Sequence, residues 1–276
     1  VSAAITLQGG SLTLRSDNTG IGSGAVTVSG ALTTSGGNIT IGGGSGAITG
    51  VLLNADGTLN TAATGYATGP GTYGVIVNSN INAGTGNIII NGSGNSASTA
   101  DYNYGVQFNG ATVQASGTVQ VSGLGGGTGV SGYNYGVVLG SSAVLKTTGS
   151  NTLTVYGQGG NSSGSGQRQY GVNVGAGTSI QATGSGAVRV AGMAGNNSGS
   201  GIANFGVIVG GGGGAISGNG GAMVVYGVAG TSSANSNYGI DVYGGSITNN
   251  GGSLVVTGIG GGSSGPASNH GLFVEQ

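Results

Sequence analysis

The chain has no cysteine and no tryptophan, only two prolines in 276 residues, and very little charge: four Lys/Arg against five Asp/Glu. Each scarcity removes a class of protein. Without thiols there is no disulfide framework, no thiolate nucleophile and no cysteine metal cage. A net charge of −1 leaves no basic stripe to track a phosphate backbone and no polybasic segment for anionic lipid. Neither nucleic acid nor membrane insertion of this segment is therefore expected, and no apolar run approaches the roughly 18 residues that would span a bilayer. Collagen is excluded because proline is scarce and the glycines do not fall at every third position.

What the chain does have is glycine, 70 residues of it, embedded in Ser, Asn and Thr. That composition alone would describe a flexible coil. The apolar residues argue otherwise, because they make up 36% of the chain and keep fixed places relative to a recurring dipeptide. An aromatic followed by Gly occurs at Tyr73, Tyr104, Tyr135, Tyr170, Phe205 and Tyr238, with His270-Gly271 as a variant. The intervals are 31, 31, 35, 35, 33 and 32 residues. A near-constant period of this size marks a stacked repeat.

Aligned on the ring, each repeat shows three apolar stations. The first is an alternating pair after the glycine, from Val75/Val77 and Val106/Phe108 through Val137/Leu139, Val172/Val174, Val207/Val209 and Ile240/Val242 to Leu272/Val274. The second is a single aliphatic at Ile81, Val113, Val144, Ile180, Ile216 and Ile247. The third is another pair, followed by x-Gly, at 88/90, 119/121, 153/155, 188/190, 223/225 and 254/256. A period of two excludes helix, in which each glycine would also cost about 1 kcal/mol relative to alanine. Three short strands at constant phase predict an all-β chain: a right-handed parallel β-helix, or β-solenoid, with one coil per 31–35 residues over its C-terminal three quarters. About ten coils at roughly 4.8 Å each would make a rod near 50 Å long.

Residues 1–72 use a shorter grammar, Ile5/Leu7, Leu12/Leu14, Val26/Val28, Ile39/Ile41 and Val51/Leu53, and are expected to be earlier coils of one continuous solenoid with residues 73–276. The stretch from Ala62 to Thr72 reads as the junction. The rings at Tyr73, Tyr104, Tyr135, Tyr170, Phe205, Tyr238 and His270 are expected to stack along the rod, with the asparagines before them, Asn103, Asn134, Asn204, Asn237 and Asn269, forming an amide ladder. The glycine after each ring is expected to make a corner with positive φ.

The run Leu12 to Asn18, the Gly-Asn-Ile-Thr-Ile from Gly37 to Ile41, and the repeated Tyr-Gly-Val-x-Val with Gly-x-Val-x-Val-x-Gly resemble the repeat regions of large filamentous-haemagglutinin-like bacterial exoproteins. The resemblance covers essentially the whole chain through degenerate motifs. It implies a β-helix exported by two-partner secretion or as an autotransporter passenger, located outside the cell or on the bacterial surface, and used in adhesion, aggregation or as a stalk. The secretion-domain Asn-Pro-Asn-Gly motif, a translocator barrel and a toxin tip are not found. Val1 is preceded by no initiating Met or signal segment, and the chain stops in mid-coil after Gly271, so a shaft portion of a longer product is expected.

Chemistry is sparse. Asp17, Asp56, Asp101, Asp241 and Glu275 fall in separated repeats and different stations, so no carboxylate pair for hydrolase or lyase work is expected. Arg15, Lys146, Arg168 and Arg189 are dispersed and read as solvated. His270 has no second ligand, and no cofactor or metal is expected. Sequons begin at Asn38, Asn91, Asn161 and Asn196. Tyr102, Tyr133, Tyr156, Tyr226 and Tyr243 read as exposed rings able to stack on sugars. The expected function is a non-enzymatic extracellular shaft of a surface adhesin or fibre. The alternatives are a filament subunit that self-associates head to tail and a carbohydrate-binding module meeting host or neighbouring-cell glycans or proteins.

Overall fold

In the computed structural model, residues 1–19, 24–160, 165–195, 199–233, 235–262 and 268–276 are described; all their regular structure is β, with no helix among them. Three parallel sheets run the length of the molecule. Sheet 1 runs from Ile5–Thr6 to Ser246–Asn250, sheet 2 from Leu12–Ser16 to Leu254–Ile259, and sheet 3 from Val26–Val28 to Leu272–Glu275. Successive coils add one strand to each sheet, so every sheet is a ladder in which like stations face like: Val106 lies opposite Val75 and Val137, and Val121 opposite Ile90 and Val155. The chain is thus a parallel β-solenoid, and the six intervals from Tyr73 to His270 are six full turns.

The paired aliphatics point inward and form one continuous apolar column from Val26 to Val242. Most are completely sealed. Each fully buried side chain contributes roughly 1.5–3 kcal/mol, which offsets the ordering of so much glycine only when neighbouring coils close the column above and below. Two positions differ from expectation. In the fifth strand of sheet 1 the buried residue is Leu145, in register with Val113 and Ile180, while Val144 faces outward. Ser141 and Ser142, both at positive φ, make a turn that shifts the count by one. Leu32, a lone aliphatic before Thr33, is a sealed core member paired with Ile5 and Ile81.

The glycine after each ring is not a positive-φ corner. None of Gly74, Gly105, Gly136, Gly171, Gly206, Gly239 or Gly271 is left-handed. It is needed for close approach instead: a Cβ on Gly157 would lie 2.0 Å from the Gly171 carbonyl oxygen, and one on Gly136 2.3 Å from the Gln158 nitrogen. The two glycines of each repeat form a seam where sheets 2 and 3 meet backbone to backbone. Left-handed φ falls two residues before the ring, at Tyr102, Tyr133, Arg168, Ala203 and Ser236. There the backbone N–H donates to the following coil, as from Tyr133 to Gln167 O (2.8 Å) and Arg168 to Ile202 O (3.0 Å), and these bonds hold the strained conformation.

Sheets 1 and 3 each contain eight strands and sheet 2 nine, where about ten coils were expected, so the stack is about 34 Å long. One reason is that Val51-Leu52-Leu53 is no rod strand. Residues 52–53 pair antiparallel with Leu59–Thr61 in a hairpin that leaves the coil after Gly43 and returns at Ala67–Thr68. This hairpin lies along the rod on the outer face of sheet 2. Asn91 Nδ2 donates to Thr49 O (2.8 Å) and Thr64 O (2.7 Å), Gln120 to Val51 O (2.7 Å), and Arg189 to Leu53 O (2.6 Å). Val51, Leu53 and Ala63 are buried against Tyr156 and Ala191, flanked by Tyr66, Leu124, Met193 and Tyr226.

Candidate functional site

The ring ladder lies apart from the inner column, in its own apolar cluster with the outward residues Val138, Ile208 and Phe273 of sheet 3. Its centre is nearly ideal for stacking: Tyr135 to Tyr170 is 4.7 Å at 6°, Tyr170 to Phe205 5.1 Å at 4°, and Phe205 to Tyr238 5.1 Å at 7°. Its ends are looser, with Tyr73 to Tyr104 at 5.9 Å and 45° and Tyr238 to His270 at 5.3 Å and 46°. His270 is exposed and stacks on Phe273 at 5.2 Å. Burial pushes the Tyr104, Tyr135 and Tyr170 hydroxyls above the usual tyrosine range, so all three stay neutral in any physiological medium.

Beside it runs the amide ladder. The Asn134 Oδ1 accepts from the Asn103 backbone N–H (3.0 Å) and from its Nδ2 (2.8 Å). Asn237 Oδ1 does the same for Asn204 (3.3 and 3.1 Å), and Asn269 Oδ1 accepts from Asn237 N–H (2.9 Å). The third rung, absent from the sequence expectation, is Gln169, whose N–H donates to Asn204 Oδ1 (3.0 Å). Its extra methylene carries its amide to Ser131 O (2.9 Å) and leaves Oε1 buried without a partner. Ser131 and Ser232 complete the rungs by bonding Asn134 and Asn237.

The five outward tyrosines do not form one platform. Tyr156 is buried beneath the hairpin with its hydroxyl on Met193 Sδ (3.4 Å), and Tyr226 is half-buried where Gly57 crosses it. Tyr102 and Tyr133 stack on each other at 4.9 Å, and Arg168 covers Tyr133 from the next coil at 5.1 Å. Both faces of Tyr133 are therefore occupied, and a stack seen edge-on offers little area to a sugar ring. Tyr243 is exposed on the Val242 strand of sheet 3.

Three of the four cations have partners, where solvated side chains were expected: Arg15 donates to the Gly44 and Gly46 carbonyls, Arg168 lies on Tyr133, and Arg189 holds the hairpin. The carboxylates also depart from expectation in one pair. Asp241 is buried with Oδ1 unpartnered, and burial together with the Glu275 charge one coil away raises its pKa to about 6. Asp56 is held below the usual carboxylate range by hydrogen bonds from Thr58. Among the described residues no group of three His, Asp or Glu is placed to hold a metal, and no helix is long and apolar enough to cross a membrane. Of the sequons, Asn38 is exposed, Asn91 is sealed under the hairpin, and Asn161 and Asn196 lie outside the described residues.

These features define the class as a parallel β-solenoid repeat protein with external aromatic and amide ladders. No family model, no curated protein and no solved structure matches the chain.

Proposed function

We propose that this chain is the non-enzymatic shaft of a secreted, filamentous-haemagglutinin-like bacterial adhesin or fibre, working in adhesion or aggregation at the cell surface. The observation that carries the reading is the unbroken register of three sheets along one axis, with rings and amides stacked outside them in the same phase. Such a stack spends its sequence on reproducing one cross-section, which is what a spacer needs. Negligible net charge suits a rod that must lie beside its copies without long-range repulsion.

A second reading, a head-to-tail filament, draws on the likeness of the coils: like stations face like along all three sheets, so the same stacking would serve between copies as within one. Electron microscopy of material from the natural source tests both readings. Rods of one length support the shaft, indefinite filaments support assembly, and compact particles without rods would overturn both.

A further inference from the structure

The outer face of sheet 1 is covered neither by the hairpin, which lies on sheet 2, nor by the ring ladder beside sheet 3. Two hollows meet on it. One, of about 410 Å³, is lined by Ser35, Asn82, Thr85, Gln114, Ser116 and Thr148 among others. The other, of about 280 Å³, shares Asn82 and Gln114 and adds Thr33, Asn80 and Thr112. Every side-chain polar group in this trough is a hydroxyl or a carboxamide.

Their orientation is set by the backbone. Asn80 Oδ1 accepts from Thr112 N–H (2.8 Å) and Asn82 Oδ1 from Gly84 N–H (2.9 Å), so each amide must turn its NH₂ away from those donors. Those NH₂ groups, the whole Gln114 amide and the Thr33 and Thr112 hydroxyls make no other hydrogen bond within the described residues. The trough therefore holds donors and acceptors side by side, fixed in register along Thr33, Asn82 and Gln114. It reaches from the Thr33 coil to the Thr148 coil, three steps or about 14 Å, the scale of a short oligosaccharide.

From this arrangement we infer that the trough binds a neutral polysaccharide. An anion would meet one cation on this face, Lys146 beside Gln114. A peptide strand would need a free edge, whereas the backbone here is already paired on both sides. The apolar surface on offer is Ala31 and the carbon atoms of the polar side chains themselves, with no large apolar side chain exposed to hold an apolar ligand. The inference is independent of the shaft reading, since a rod that binds no glycan is still a rod under the microscope.

The test is affinity electrophoresis of the full chain in native gels cast with dextran, galactomannan, xyloglucan or mixed-linkage β-glucan, with polygalacturonate as the acidic arm. Retardation in a neutral gel, weakened at least tenfold by Gln114→Ala and unaffected by Tyr133→Ala, is expected. The Gln114 side chain makes no hydrogen bond within the described residues and its backbone pairing with Asn82 and Lys146 is open to alanine; unchanged near-ultraviolet dichroism checks that the variant retains its ring ladder. In ¹⁵N-labelled wild type, oligosaccharides of the retarding polymer should shift the side-chain amides of Asn80, Asn82 and Gln114. No retardation in any neutral gel, retardation by polygalacturonate alone, or shifts confined to other faces would overturn the proposal.

Discussion

Tyr170→Ala separates a ladder that stabilises the rod from one that merely decorates it. Tyr170 is buried and flanked by rings at 4.7 and 5.1 Å, both within 6° of parallel. Truncating a buried aromatic to alanine costs about 3–5 kcal/mol, which includes the opened cavity. Two lost stacking contacts at about 0.5–1.5 kcal/mol each put the expected loss toward the upper end. Tyr73→Ala is the internal comparison, because Tyr73 is half-buried and meets one tilted ring at 5.9 Å. Its loss should be about 1–2 kcal/mol. Urea denaturation followed by far-ultraviolet dichroism and tyrosine fluorescence gives both values. Each coil contacts only its neighbours, so a central lesson of this kind can also split one transition into two. Equal losses at the two sites, or less than about 1 kcal/mol at Tyr170, would refute the reasoning.

Two further outcomes follow from the ionisable groups. Asp241 has its pKa raised from 3.8 to about 6. The unfolded chain therefore loses that proton first, and stability is full below about pH 4, falls as pH rises toward 6 and is flat above it. The expected decline is on the order of 1 kcal/mol once solvent screening is allowed for. It should vanish in Asp241→Asn, and a slope that persists there places its origin elsewhere. Arg189→Ala removes the bond to Leu53 O and should cost about 1.5–3 kcal/mol, with faster proteolysis within residues 47–65; unchanged cleavage there would mean that Arg189 does not secure the hairpin.

The three inward stations were legible because alternation with a period of two, tied to a recurring ring, survives substitution among Val, Ile, Leu and Phe. Leu145 was missed because the preceding turn varies in length, and spacing alone cannot choose between adjacent aliphatics. Gln169 is hidden because Gln stands before Tyr170 where the other rungs have Asn, whereas a rung needs only an amide and a backbone N–H. The hairpin was not legible, since Val51 and Leu53, two residues apart, have the spacing of a rod strand's inward pair. Its receiving surface, Tyr156, Ala191 and Tyr226, occupies positions that face water in a bare solenoid. Only the folded chain brings those two signals together.

The hairpin also acts as a ruler. It touches the coils of Asn91, Gln120, Tyr156, Arg189 and Tyr226 in order, with Thr49 at one end and Gly57 at the other. A bare solenoid can gain or lose a coil at little cost, because every junction is alike. Beneath this hairpin an added coil would slide Arg189 about 4.8 Å away from the Leu53 carbonyl. The count of coils under the hairpin is thereby tied to the length of the hairpin itself, and the two can change only together.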